Sequence, residues 1–187
     1  HHPMAYWGLA MANEQLPGRA RLFTQNAVRR VRNDTSVRER QWIAVIGNFY
    51  DIKREGPATL PPPAELSEDK RQARFRQRIR DLEGIVLAHP EDVEAKAFLL
   101  RQLTLDEHRF GRTVTSHVAV DRLARDLVEA APDHPIRHYH IFLWLAERPD
   151  RALAPAEHSA ALAPGIADGW RFAAEAWRAN GQNHEAL

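Results

Sequence analysis

Three histidines lie close together in the last third of the sequence, at positions 134, 138 and 140. On a helix, His134 and His138 are one turn apart on the same face, a spacing that lets two imidazoles bind one metal ion. His140 lies roughly 200° from His138 around the helix axis, and no carboxylate occupies an obvious third-ligand position. Two hypotheses stay open: a metal-binding or accessory catalytic site on His134 and His138, or histidines that cap helices, form hydrogen bonds or lie on the surface.

No other segment has the residue pattern of a known catalytic site. The sequence contains no Cys, which excludes disulfides, thiolate metal sites and a Cys nucleophile. Glycine-rich phosphate loops, nucleophile elbows and carboxylate pairs suited to acid and base catalysis are also missing from the sequence. We therefore predict a protein that is not an enzyme and that holds no cofactor.

A basic run between residues 70 and 80 is a second candidate for a binding surface. It contains Arg71, Arg74 and Arg78 at helical spacing and no acidic residue, so it could form a cationic patch for an acidic partner. Arginines on the solvent side of an amphipathic helix are also common. The formal charge of the whole chain is only +1, which argues against nucleic acid as the partner.

The elements that must position these residues are predicted to be helices throughout. Apolar residues recur every three or four positions, Pro and Gly interrupt them, and no segment alternates as a strand would. Ser36 and Glu39 form a capping-box pattern that starts a helix expected to end near Gly56. The pattern predicts about nine helices, one of which opens at Ala152, and the start of a tenth at Glu185. The fold class is all-α.

Composition divides the chain into four segments. Residues 1–54 are predicted to form a helical hairpin and a third helix, and residues 55–66 are a proline-rich linker in which no helix can persist. Residues 67–131 are predicted to form irregular hairpins, and residues 132–187 the most regular helices. No run approaches the ~20 apolar residues that span a bilayer, and the first residues lack a signal-peptide pattern. A helix that begins at the third residue suggests a natural protein that extends further N-terminally, and the compartment is left open.

Residues 149–187 contain a pattern with a step of 34 residues, from Ala152 to Ala186 and from Leu153 to Leu187. A two-helix unit of this length cannot bury its apolar face alone and must stack on a neighbour. The pattern resembles the tetratricopeptide repeat family, and the matching residues are Trp170, Ala173, Ala174, Trp177, Gly181 and Ala186, with Ala152, Ala156 and Pro164 in the preceding unit.

The beginning of the chain resembles the same family. The matching residues there are Met4, Trp7, Gly8, Met11, Ala20, Phe23 and Ala27. The stretches HPMAYWGLAMAN and APDHPIRHYHIFLW are, more narrowly, similar to a group of long bacterial tetratricopeptide proteins of mostly unassigned function. Histidine is frequent in that group at the positions where this chain has Phe142, Asp168 and Arg171. The resemblance therefore does not predict a histidine site at these positions.

The resemblance implies a right-handed solenoid of stacked antiparallel hairpins, degenerate in its middle. It also implies a non-enzymatic scaffold that binds a protein or peptide on a concave surface. The five tryptophans are then expected to be packing wedges between hairpins. Open solenoid ends leave a structural alternative, namely assembly end to end in a larger complex. The expected partner contacts flank packed positions of the most regular helices, and they are Arg137, Tyr139, Arg171 and Asn180.

Overall fold

The structure is a computed structural model that describes residues 2–57, 59–63, 65–111, 116–135, 138–162 and 164–186. Within these ranges the chain forms nine α-helices and no β-strand, which confirms the all-α class. None of the described helices has the length and apolar content needed to cross a membrane. The helices are α1 (Pro3–Ala12), α2 (Pro17–Arg29), α3 (Val37–Tyr50), α4 (Glu68–Ala88), α5 (Val93–Phe110), α6 (His117–Ala130), α7 (His138–Leu145), α8 (Pro149–Leu162) and α9 (Ala167–Ala179).

The helices belong to two compact units, residues 1–91 and residues 92–187. In the first unit α1 packs on α2 and α3, and α3 also packs on α2 and α4. In the second unit α7 packs on α5, α6, α8 and α9, while α5 contacts α6 and α8 contacts α9. Odd-numbered helices therefore contact one another within each unit. The division falls between α4 and α5, inside the segment predicted as residues 67–131.

The two ends of α3 illustrate how local sequence sets a helix length. At the start, the Ser36 side chain accepts from the Glu39 amide and the Ser36 amide donates to the Glu39 carboxylate, which confirms the capping box. The predicted end near Gly56 is wrong, because α3 stops at Tyr50. Asp51 adopts a left-handed conformation with φ of 54°, and the Ile52 amide donates back to the Gly47 carbonyl at 2.8 Å. This hydrogen bond closes the helix as a Schellman motif.

The described part of the proline-rich segment is held against α2 by hydrogen bonds. Gln25 Nε2 and Arg29 Nη2 donate to the Pro57 carbonyl at 2.8 and 2.6 Å. Arg21 Nη1 donates to the Pro61 carbonyl at 2.9 Å. Proline has no amide hydrogen to donate, but its carbonyl oxygen accepts like any other. Long polar side chains of α2 thus anchor a segment that cannot form a helix of its own.

Small residues let α8 and α9 approach each other closely. Ala152, Ala156 and Ala160 recur one helical turn apart on α8, and all three are buried. A Cβ atom added to Gly169 of α9 would lie 3.4 Å from the Cα of Ala160. Because these side chains are small, the backbone of one helix can pack directly against the other.

One expected boundary in this region is wrong. α8 begins at Pro149 and not at Ala152. Proline suits the first helical turn, where its missing amide hydrogen is not needed. Residues 183–186 form turns and Leu187 lies outside the described residues, so the start of a tenth helix at Glu185 stays a prediction.

The tryptophans do not all pack in the same way. Trp42 and Trp144 are buried with 3% and 5% of their surfaces exposed, and Trp7 packs edge-on against Trp42 with ring centroids 5.4 Å apart. Trp170 is 47% exposed, and its Nε1 atom donates to the Pro164 carbonyl at 3.0 Å. The expectation that Trp170 is a packing wedge is therefore wrong, because nearly half of its surface is exposed to solvent.

Arg78 lies inside the first unit, with only 5% of its surface exposed. Its Nη1 atom is 2.6 Å from Glu14 Oε1, and its guanidinium carbon is 4.9 Å from the ring centroid of Phe49. A carboxylate and an aromatic face together compensate in part for the water that a buried guanidinium loses. Arg78 is consequently not available to the predicted solvent-exposed basic patch.

Replacing Arg78 with Ala should lower the free energy of unfolding by about 2–3 kcal/mol, because Glu14 is left partly buried without its cation. Arg71→Ala is the matched control on the same helix. Arg71 is exposed and pairs with Glu68 at 2.6 Å, so its loss should cost about 0–1 kcal/mol. Urea unfolding followed by circular dichroism measures both values. Equal losses in the two variants would contradict the structural role assigned to Arg78.

Candidate functional site

A cavity of about 750 Å³ opens on the second unit. Side chains of α5, α6, α7 and α9 line it, together with the residues that directly follow α7. Its volume lies within the range of about 300–1,000 Å³ that is typical of ligand-binding clefts. We call this cavity the groove, and the lining side chains that define its character are Leu105, Tyr139, Phe142, Leu145, Phe172 and Glu175.

Four rings form an aromatic cluster along the groove. The His138 ring stacks on Phe172 with centroids 5.7 Å apart and an interplanar angle of 8°. Phe142 meets Phe172 edge to face at 5.0 Å, and Tyr139 lies 4.2 Å from His138 and 6.1 Å from Phe142. Such offset and edge-to-face pairs are the favourable arrangements of aromatic rings. The cluster joins α7 to α9 and leaves Tyr139 and Phe142 only half-buried.

His138 belongs to this cluster as a neutral ring. Its Nδ1 atom lies 2.8 Å from the Pro135 carbonyl oxygen, which can only accept, so Nδ1 carries the hydrogen. Burial lowers the pKa of His138 below its ordinary value, although the hydrogen bond to Pro135 and the charge of Asp168 oppose that change. The charge of Arg101 lowers the pKa further. A neutral imidazole can stack on Phe172 without burying a charge.

His134 has a different neighbour. Its Nε2 atom lies 3.4 Å from the Glu94 carboxylate on α5, whereas His138 forms a hydrogen bond with the Pro135 carbonyl. Across the described residues no group of three His, Cys, Asp or Glu side chains is placed to hold a metal ion. The described residues therefore supply no third ligand for a metal site on His134 and His138.

His140, the third histidine, is buried in a hydrogen-bond network that holds α7 against α6. Its Nε2 atom and Trp144 Nε1 both lie 2.8 Å from Asp121 Oδ1, and Arg125 Nη2 lies 2.7 Å from Asp121 Oδ2. Burial raises the pKa of Asp121, but the hydrogen bonds from His140 and Trp144 and the charges of His140 and Arg125 outweigh it, so the pKa lies below its ordinary value. The aspartate is thus an ionised acceptor, and it fixes the helix that supplies three of the four cluster rings.

The predicted contact residues have three different positions. Tyr139 lines the groove, and Arg171 lies at its edge with its guanidinium carbon 4.2 Å from the Phe172 centroid and its Nη1 atom 2.7 Å from Glu175. Asn180 is used inside the fold, because its Nδ2 atom donates to the Pro149 and Ala176 carbonyls at 2.8 Å each. Arg137 lies outside the described residues.

The basic patch is only partly on the surface. Arg71 is exposed and Arg74 is half-buried, while Arg78 is the buried ion-pair partner of Glu14. A cationic contact surface on α4 stays a prediction for Arg71 and Arg74.

Sequence reasoning missed most of the groove. Phe142 stands three residues after Tyr139 and four after His138, so helical spacing alone could have placed these rings on one face. Glu107, Glu147 and the pair Phe172 and Glu175, which also line the groove, come from three segments that are far apart in the sequence. No local pattern brings such residues together before the helices are packed.

Comparison with protein-family models, with curated proteins and with solved structures found no match for this chain.

Replacing Asp121 with Ala should lower the free energy of unfolding by about 2–4 kcal/mol, because the N–H groups of His140 and Trp144 lose their buried acceptor. Asp126→Ala is the control. Asp126 is also on α6, and it pairs at 2.7 Å with the exposed Arg122 one turn away. Its loss should cost about 0–1 kcal/mol. Urea unfolding monitored by tryptophan fluorescence measures the difference.

The pH dependence of the Asp121 variant provides a second measurement. A carboxyl whose pKa is lowered by folding stabilises the native state above its unfolded pKa, and this contribution is lost as the pH falls through the folded pKa. The wild type should therefore lose more stability than Asp121→Ala when the pH is lowered from neutral to below about 4. Parallel pH profiles would show that the network does not favour the ionised carboxylate.

Proposed function

We propose that this chain is a non-enzymatic interaction scaffold whose groove binds an apolar segment of a protein or peptide. The observation that carries the proposal is the aromatic cluster of α7 and α9, which packs internally yet leaves Tyr139 and Phe142 half-exposed at a cavity. Aromatic side chains held rigidly beside a cavity are the groups that most often dominate binding energy at protein interfaces. Their order in the free protein also limits the conformational entropy lost on binding.

The helix arrangement supports a tetratricopeptide-like architecture as part of this proposal. Alternate helices contact one another in both units, α1 with α3 in the first, and α5 with α7 and α7 with α9 in the second. Stacked helical hairpins bring alternate helices together into one continuous surface in this way. Most residues that line the groove belong to α5, α7 and α9, the odd-numbered helices of the second unit, and His117 of α6 lines it as well. Odd-numbered helices are where such an architecture is expected to bind a partner.

Recognition would follow the mode in which a helix or extended peptide inserts apolar side chains into a groove. Leu105 and Leu145 supply aliphatic contacts, and Tyr139 and Phe142 supply ring faces. The Tyr139 hydroxyl can orient a ligand by a hydrogen bond, since phenol both donates and accepts. Arg171 and Glu175 form a charged pair at the edge of the groove, where polar groups add selectivity more than affinity.

A second candidate function is assembly through exposed apolar side chains at the end of α8 and the start of α9. Leu162, Ile166 and Trp170 are 38%, 59% and 47% exposed within one short stretch of the chain. Exposed apolar side chains of this kind favour association with another surface. Sedimentation velocity over a range of protein concentrations tests this candidate. Association that is lost in Trp170→Ala would support it, and a monomer at all concentrations would contradict self-assembly.

The groove proposal predicts that Tyr139→Ala weakens peptide binding by about 30-fold, the effect of losing a hot spot of about 2 kcal/mol. Peptides selected from a random library on the full chain provide the ligands, and isothermal titration calorimetry measures their affinities. Trp170→Ala is the control, because Trp170 is an exposed aromatic of α9 that does not line the groove.

Thermal melts of both variants establish that they are folded. Selected peptides that bind Tyr139→Ala and the wild type equally would place their binding outside the groove and contradict the proposal.

A further inference from the structure

His138 presents a hydrogen-bond acceptor to the groove. Its Nδ1 atom donates to the Pro135 carbonyl at 2.8 Å, so the neutral ring carries its hydrogen on Nδ1 and keeps a lone pair on Nε2. Nε2 makes no hydrogen bond within the part of the chain that the structure describes. It also does not belong to the described buried atoms that lack a partner, and His138 lines the groove. Nε2 is therefore within reach of a ligand.

Contacts on several sides hold this acceptor in one position. The His138 ring stacks on Phe172 at an interplanar angle of 8°, and it meets Phe142 edge-on with centroids 6.2 Å apart. Turning the ring over would place a carbon atom at the Pro135 carbonyl and break the Nδ1 hydrogen bond. Burial of the ring also lowers the pKa of His138, which leaves the lone pair of Nε2 available at neutral pH. The groove thus contains a fixed acceptor beside aromatic rings.

An apolar ligand that covers this acceptor changes its environment. If only carbon atoms of the ligand face Nε2, the acceptor loses its access to water and gains no hydrogen bond, which costs binding free energy. A ligand N–H at the same place satisfies the acceptor. For this reason, sites that form a hydrogen bond with a polar group of a ligand discriminate against analogues that lack the group. His138 therefore favours an apolar group that carries a hydrogen-bond donor.

Tryptophan is the side chain that best combines these two properties. Its indole is a large apolar ring system, and its Nε1–H only donates. The indole ring can pack against Phe142 and Leu145, which line the groove, while its N–H faces His138. Phenylalanine and leucine offer apolar surface without the donor.

We propose that His138 Nε2 makes the groove selective for a protein segment anchored by a tryptophan, whose indole N–H donates to this atom. This inference rests on the proposed function and adds the chemistry of the partner's anchor. The acceptor is a neutral atom, so the selection does not require a charged partner.

The test uses two peptides that differ only at the indole nitrogen. Both have a Leu-X-Leu core flanked by serines, and X is either tryptophan or 3-benzothienylalanine, in which sulfur replaces the N–H in a ring of nearly the same shape. Fluorescence anisotropy of labelled peptides with the full chain should show that the tryptophan peptide binds about fivefold more tightly, the effect of one net hydrogen bond.

His138→Phe should bring this ratio of affinities to about one, because phenylalanine keeps a ring that can stack on Phe172 and removes the acceptor. His158→Phe is the control, since His158 is exposed on α8 and is not among the described residues that line the groove. Nitrogen NMR of the wild-type imidazole provides a measurement that needs no variant. The Nε2 resonance of His138 should shift when the tryptophan peptide binds and should shift less with the sulfur analogue.

The outcomes separate this inference from the groove proposal. Equal binding of the two peptides to the wild type, with Tyr139→Ala weakening both, would overturn the tryptophan inference and leave the groove proposal intact. A tryptophan preference that persists in His138→Phe would assign the N–H to another acceptor and overturn the role of His138. Failure of both peptides, while library peptides still bind in a Tyr139-dependent way, would also overturn the inference. Binding of no peptide, including those of the library, would overturn both.

Discussion

A buried carboxylate is the constraint on which the second unit depends. An aspartate in a helical interior is tolerated only if hydrogen-bond donors replace the water it loses, and Asp121 receives such contacts from His140, Trp144 and Arg125. Two of these donors belong to α7, so the carboxylate determines how α7 lies against α6. α7 in turn carries Tyr139 and Phe142, and the shape of the groove therefore depends on a residue that does not line it.

The first unit contains a related arrangement with the charges reversed. Arg78 enters the interior from α4 and meets Glu14 and the ring of Phe49. In both units one charged side chain links neighbouring helices. Small or apolar residues bring helices close together, as the alanines of α8 do where α8 packs on α9. Apolar contacts tolerate several registers between two helices, whereas a buried charge is stable only where its partners can reach it.

Helix positions were largely predictable from the sequence, because capping residues, prolines and apolar periodicity act within a few residues of each other. Ser36 with Glu39 illustrates this at the start of α3. The end of α3 was mispredicted because Gly56 is the conspicuous helix breaker, while the chain instead turns at Asp51, a residue type that tolerates left-handed backbone. Roles of individual side chains were less predictable. Arg78 and Asn180 are polar residues expected on surfaces, yet Arg78 is buried and the half-buried Asn180 donates to two backbone carbonyls.

The sequence by itself determined the all-α class, the approximate bounds of most helices and the alternation of small and aromatic residues in the last third of the chain. Only the tertiary structure decided which helical faces are covered. Trp144 and Trp170 are both helical tryptophans, but Trp144 is buried and donates to Asp121 of α6, whereas Trp170 is 47% exposed. The groove has the same origin, because Leu105, Phe142 and Glu175 meet only when α5, α7 and α9 are packed together. Local interactions determine where a helix forms. The helices that pack against it determine which of its faces are buried and which distant side chains come together.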